Sequence, residues 1–165
     1  MEIIKAGEPH IAYIQEIAYT TWPVTFGEIL GPAQLRYMLE WMYSTHALRD
    51  QMTVRQHTFL LAKEGHIFTG FASIEFNYNG EPVTKIHKLY ILPETQGKGT
   101  GKRLLKEIEG MALEKGNPTI TLNVNRYNSA VKFYQKLGFV IKRSEDIDIG
   151  NGYLMEDYVM DLSLP

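Results

Sequence analysis

The sequence predicts a mixed α/β domain: a central, mostly antiparallel twisted sheet of about seven strands, flanked by four helices. Three observations carry this reading. Helical periodicity dominates the first third of the chain, and strand-like segments with turn signals fill the middle. A strand, a glycine-rich loop, a helix and another strand then follow in that order, which requires a crossover and so one parallel, splayed pair.

Each element has its own signal. Glu2 to Lys5 is a short strand. Pro9 opens a helix with Ile11, Ile14, Ile17 and Ala18 on one face, which Trp22-Pro23 is expected to end, leaving Val24 to Gly31 as a loop. Pro32 starts a second helix, with Leu35, Met38, Leu39 and Met42 at helical spacing; Ser44 to Thr53 reads as polar and partly helical. His57 to Lys63, Ile67 to Asn77 and Val83 to Leu92 form an antiparallel meander, with Glu64-Gly65 as a turn and Asn79-Gly80 as a hairpin signal. Leu104, Leu105, Ile108, Met111 and Ala112 line one face of the next helix, which Gly116 and Pro118 close. Thr119 to Val124 is a strand, and Asn128 caps a helix over Ser129 to Leu137. Phe139 to Ile149 and Tyr153 to Leu162 pair around Gly150-Asn151-Gly152. The 165 residues carry no repeat or linker-like stretch, so residues 1–165 read as one domain.

Composition removes several function classes. The chain holds 17 Lys and Arg against 19 Asp and Glu, a formal charge of −2, which argues against a general nucleic-acid binder. It has no cysteine, so disulfides, cysteine-ligated zinc and a cysteine nucleophile are excluded, in keeping with a cytoplasmic location. There is no apolar run of membrane-spanning length and no signal-peptide core, so no membrane partner is expected. The five histidines show no ligand spacing with acids, and no metal is expected.

The segment Gln96-Gly97-Lys98-Gly99-Thr100-Gly101-Lys102 runs directly into a helix. Amides at a helix N-terminus lack internal partners, the helix dipole adds positive potential, and glycines let a phosphate approach the backbone. Nucleotide motifs do not fit. Only three residues separate Gly97 from Gly101-Lys102, and Arg103 follows, so this is not a Walker loop. Lys102 and Leu104 stand where a dinucleotide fingerprint needs glycine.

The pattern Gln-x-x-Gly-x-Gly does fit, and here the chain resembles the GNAT superfamily of acetyl-CoA-dependent N-acetyltransferases. His87 to Glu94 resembles the family's strand before the loop. Leu122 to Phe139 resembles its next strand and helix, with Asn128, Ala130, Phe133-Tyr134 and Gly138-Phe139 in the family's order. The resemblance is continuous from Val83 to Phe139. Trp22 to Phe26, Tyr37 to Ser44 and the tail Gly150 to Met160 more faintly resemble the bacterial branch that acetylates spermidine and spermine.

The resemblance implies a GNAT fold and roles for particular residues. The pyrophosphate of acetyl-CoA would lie over Gln96, Gly97, Lys98, Gly99, Thr100, Gly101 and Lys102. Its pantetheine arm would add like a strand beside Leu89 and Ile91, where two strands splay. Asn128 would touch the cofactor or act as a helix cap, or both. Tyr134 would protonate the leaving thiolate, or simply pack. The strand before the loop shows Lys85, His87, Leu89 and Ile91 on one face and no acid, so the base is open: His87, Glu75 through water, or a water chain alone.

These features indicate direct acetyl transfer to a small amine, polyamine first, since no cysteine can carry the group. A protein or peptide amine, and a non-catalytic acetyl-CoA-binding module, are the alternatives. Trp22, Phe26, Glu28, Glu40, Tyr43 and Asp157 are the candidate acceptor residues: carboxylates for remote ammonium groups, aromatics for methylenes. The same acids read equally as a solvated face. The chain is expected to be a monomer or homodimer.

Overall fold

The computed structural model describes residues 1–165. Seven strands form one sheet: β1 (Glu2–Ala6), β2 (Thr58–Glu64), β3 (Ile67–Glu75), β4 (Val83–Ile91), β5 (Thr119–Asn125), β6 (Val140–Gly150) and β7 (Tyr153–Ser163). Their spatial order is β1-β2-β3-β4-β5-β7-β6. Only β4 and β5 run parallel; every other neighbour pair is antiparallel.

Five helices accompany the sheet rather than four: α1 (Ile11–Phe26), α2 (Pro32–Tyr43), α3 (Thr45–Thr53), α4 (Thr100–Glu114) and α5 (Ala130–Lys136). The extra one is α3, in the segment read as only partly helical. Ser44 starts it by accepting a hydrogen bond from the Ala47 amide at 3.1 Å. No helix is long and apolar enough to cross a membrane.

Three local expectations change. Helix α1 does not stop at Trp22-Pro23. Pro23 sits near its C-terminal end, where Gly27 N still reaches Pro23 O at 2.9 Å, and the carbonyl partner it forgoes belongs to exposed Tyr19. Trp22 and Phe26 are therefore core residues of one helix. Asn79-Gly80 is not a two-residue hairpin turn. It belongs to a longer connection in which Asn77, Asn79 and Gly80 all take left-handed backbone, and Asn117 accepts from the Asn77 amide at 3.0 Å. Asn128 does cap α5: its Oδ1 accepts from the Ala130 amide at 2.9 Å.

The third change concerns β4. Ser73 pairs with Lys88 but Ile74 pairs with Ile86, so His87 is an extra residue, a β-bulge. The bulge shifts the alternation. Ile86, Leu89 and Ile91 pack with the α4 core, while Tyr90 and Leu92 pack with the α1–α3 core. Lys85, His87, Leu89 and Ile91 thus do not share one face.

Candidate active site

Strands β4 and β5 pair only over Val83–Ile86 and Thr119–Leu122. Beyond that point they part, and a cleft of about 720 Å³ opens between them. Leu89 lines it from β4, Asn123 from β5, Tyr134 from α5, and Asn128 from the turn before α5. The backbone facing the gap has no strand partner, as an added extended chain requires. Ile91 lies further along, its side chain 3.8 Å from where a Cβ on Gly101 would stand.

The glycine loop lies at one end of this splay. Gly97 and Gly99 have φ of 82° and 83°, a region that favours glycine, and a Cβ on either would meet open space. Gly99 is the N-cap of α4, whose first backbone bond runs from Arg103 N to Gly99 O at 2.9 Å; the amides ahead of it have no i−4 acceptor. Gly97, Lys98 and Lys102 are exposed, and Thr100 is buried. Gln96 folds back to donate to Ile91 O at 3.2 Å, tying loop to strand. Gly101 has ordinary helical backbone; its constraint is space, since a Cβ there would stand 3.3 Å from the Phe133 ring.

The bulge brings a base-like group together. The Nε2 atoms of His57 and His87 lie 3.2 and 2.9 Å from the same Glu75 oxygen. Burial, then the charges of Lys88 and Arg55, push His57 down to about 4. Burial, His57 and the neighbouring cations push His87 lower still. The Glu75 carboxylate works against both, because it stabilises any proton that arrives. Below them is Lys88, only 5% exposed. Burial and Arg55 push it down to about 7, and its Nζ donates to Gln51 at 2.8 Å while facing the rings of Tyr43 and Phe59.

His57, Glu75 and His87 also form a set of potential metal ligands, with donor atoms all within 4.8 Å of one another. The two rings lie nearly parallel, 11° apart. Linear spacing hid this cluster, because only the β2–β3–β4 register assembles it.

Tyr134 is buried apart from its face on the cleft, and burial pushes its phenol well above the usual value. It is protonated at neutral pH, as a proton donor must be. Of the candidate acceptor residues, Trp22, Phe26 and Asp157 line the cleft. Tyr43 lies in the core behind it, and Glu28 and Glu40 are exposed and outside it. Asp157 is 2% exposed and accepts from Asn123 at 3.3 Å; Lys85 also bonds Asn123. The cleft wall carries Asp50, Glu75 and Asp157 against Arg55, Lys85 and Lys88, so it is balanced rather than acidic.

An acetyltransferase (GNAT) domain family matches residues 30–162. The chain belongs to the GNAT acetyltransferases. A spermidine N(1)-acetyltransferase of Thermoplasma acidophilum is 29% identical over 94% of this chain and 96% of its own length. A [ribosomal protein bS18]-alanine N-acetyltransferase of Haemophilus influenzae is 30% identical over 73% of this chain and 75% of its own. The solved PaiA N-acetyltransferase of T. acidophilum, in complex with coenzyme A, superposes with a TM-score of 0.83 at 27% identity, covering 98% of each chain. For this GNAT enzyme, the parted strands and the open-topped glycine loop are the features that make room for a long thioester.

Proposed function

We propose that residues 1–165 form one domain that transfers the acetyl group of acetyl-CoA directly to the primary amine of a small molecule. The parting of β4 from β5 beside Tyr134, with the free amides of the α4 N-terminus at one end, carries this reading. The loop amides, Lys98 and Lys102 hold the pyrophosphate. The pantetheine arm lies along β4 past Ile91 and Leu89, and Asn128 borders it while capping α5.

The amine enters from the Trp22 and Phe26 side and must lose a proton. The Glu75–His87 pair takes it: a carboxylate 2.9 Å from the ring compensates the imidazolium that burial disfavours. The amine nitrogen then bonds to the thioester carbonyl carbon, the C–S bond breaks, and Tyr134 protonates the departing thiolate.

The spermidine N(1)-acetyltransferase relative supports a polyamine acceptor. The bS18-alanine relative supports a second reading, a protein N-terminal amine. Because the cleft wall is balanced in charge, a polyamine would be gripped by single contacts such as Asp157 rather than by a broad field. Thiol release measured across polyamines, monoamines of similar length and peptides tests the proposal. Turnover with a small amine is expected. Tight acetyl-CoA binding with no thiol release from any amine would overturn it in favour of a binding module.

A further inference from the structure

Three neighbouring strands each bring one ligand-type side chain to the same point. His57 immediately precedes β2, Glu75 ends β3, and His87 is the bulged residue of β4. All three line the cleft, with side chains 7%, 30% and 22% exposed, so they are shielded from bulk water yet open to what enters the cleft. Both Nε2 atoms approach one carboxylate oxygen, at 3.2 Å from His57 and 2.9 Å from His87. Accepting one proton needs only Glu75 and His87. A second imidazole on the same oxygen is more than that task requires.

We propose that His57, Glu75 and His87 bind a zinc ion reversibly, and that the bound ion switches acetyl transfer off. Two imidazoles and a carboxylate are an established protein set for zinc, and they leave its fourth position to water or substrate. Zinc at about 2.0–2.1 Å from tetrahedral ligands sets those ligands roughly 3.3 Å apart. Both nitrogen–oxygen separations here fall within about half an ångström of that spacing. The donor atoms all lie within 4.8 Å of one another, so side-chain rotation, without strand movement, closes the set around an ion. Two nitrogen donors of three select against magnesium and calcium, which take oxygen ligands.

The surroundings keep the affinity moderate. Arg55 and Lys88 line the same cleft and oppose a cation, and Asp50 offsets the first of them from 3.3 Å. His57 Nδ1 has no hydrogen-bond partner, so nothing on the far side of that ring holds the tautomer that frees Nε2. Lost support of this kind costs about 10–100-fold in metal affinity. The site therefore fills and empties with the metal supply rather than holding a permanent ion.

The consequence for the reaction rests on the acetyltransferase reading above. A bound ion takes the lone pairs of both imidazoles and the charge of Glu75, so the proton of the amine finds no acceptor there. An amine entering the open position gives its lone pair to the metal and cannot attack the thioester. Acetyl-CoA keeps its own contacts at the glycine loop and β4.

Cobalt(II), which occupies zinc sites and absorbs visible light strongly when four-coordinate, reads the binding without any acceptor. One cobalt per chain is expected, displaced by zinc and not by magnesium. E75Q and H57Q should each weaken binding at least tenfold, with folding checked by circular dichroism. E75Q keeps the shape of the side chain, so it still tests the site if H57Q misfolds. H66Q, at an exposed histidine in the turn between β2 and β3, should bind as the parent does. Transfer of radiolabelled acetyl to a monoamine should fall at least tenfold with zinc, return on adding EDTA, and show an unchanged acetyl-CoA KM. No cobalt binding, binding that survives E75Q, or binding lost in H66Q would overturn the site and leave the acetyltransferase reading intact. Zinc bound with turnover undiminished would overturn the switch. No turnover with any amine would strike the acetyltransferase reading instead, and the cobalt spectrum would still decide the site.

Discussion

His57 and His87 stack face to face with ring centroids 4.1 Å apart, and both reach one oxygen of Glu75. Two imidazoles sharing one carboxylate leave little freedom to any of the three. His57, 7% exposed at its side chain, thereby fixes where His87 and Glu75 stand. Glu75→Gln should lower kcat by about 10²-fold or more, the range for losing a proton acceptor. His57→Gln should lower kcat less and leave the acetyl-CoA KM unchanged. Both imidazoles are pushed well below neutrality, so they stay unprotonated across the assay range. The rise of rate with pH up to about 10 then reports the amine's own proton loss. His87→Ala should depress the plateau without moving that rise. A pH–rate profile checks this, and a rise displaced in His87→Ala would contradict it.

The glycine-loop prediction separates two physical causes. Gly99→Val forces a branched side chain into left-handed backbone, a strain of about 1–2 kcal/mol, and narrows the anion site. Gly101→Val has no such strain but drives its side chain into Phe133. Both should weaken acetyl-CoA binding at least tenfold by calorimetry. Combining Gly101→Val with Phe133→Ala should recover part of the loss, whereas Gly99→Val with Phe133→Ala should not.

The loop was legible because its signal is local: glycines, a helix start and a preceding strand all lie within one short window. So was the meander, where strand runs alternate with turns. What sequence reading missed depends on register. A single extra residue at His87 turns Leu89 and Ile91 to one face and Lys88 and Tyr90 to the other. No periodicity announces where a bulge falls. His57 looked like the first residue of a strand, and only pairing of β2 with β3 and of β3 with β4 brings it to Glu75. Charge alone points to Glu28 and Glu40, but α1 runs on through Pro23 and leaves Glu28 in the exposed turn beyond it.

Tyr134→Phe keeps the ring between Phe133 and Phe139, whose centroids lie 5.3 and 5.4 Å away. Folding and acetyl-CoA affinity should therefore be unchanged. Turnover should fall by about 10²–10⁴-fold if protonation of the thiolate limits the rate. An unaltered kcat in steady-state assays would leave Tyr134 a packing residue.

Lys88 makes a prediction about stability rather than rate. Its folded value is pushed from 10.5 down to about 7, chiefly by burial. Below pH 7 it is charged in both folded and unfolded chains, and the folded state bears the whole cost of burying that charge. Between pH 7 and about 10 the folded chain has released the proton while the unfolded chain still holds it. The unfolded state then binds more protons, so stability rises with pH across this window. Lys88→Met removes the titration and keeps a side chain of similar length against Tyr43 and Phe59. The variant should gain most over the parent below pH 7, by a few kcal/mol at most. Its advantage should shrink steadily as the pH approaches 10. Urea unfolding of both proteins from pH 6 to 10 measures the difference directly. A gap that stays constant would show that Gln51, 2.8 Å from Nζ, already compensates the buried charge.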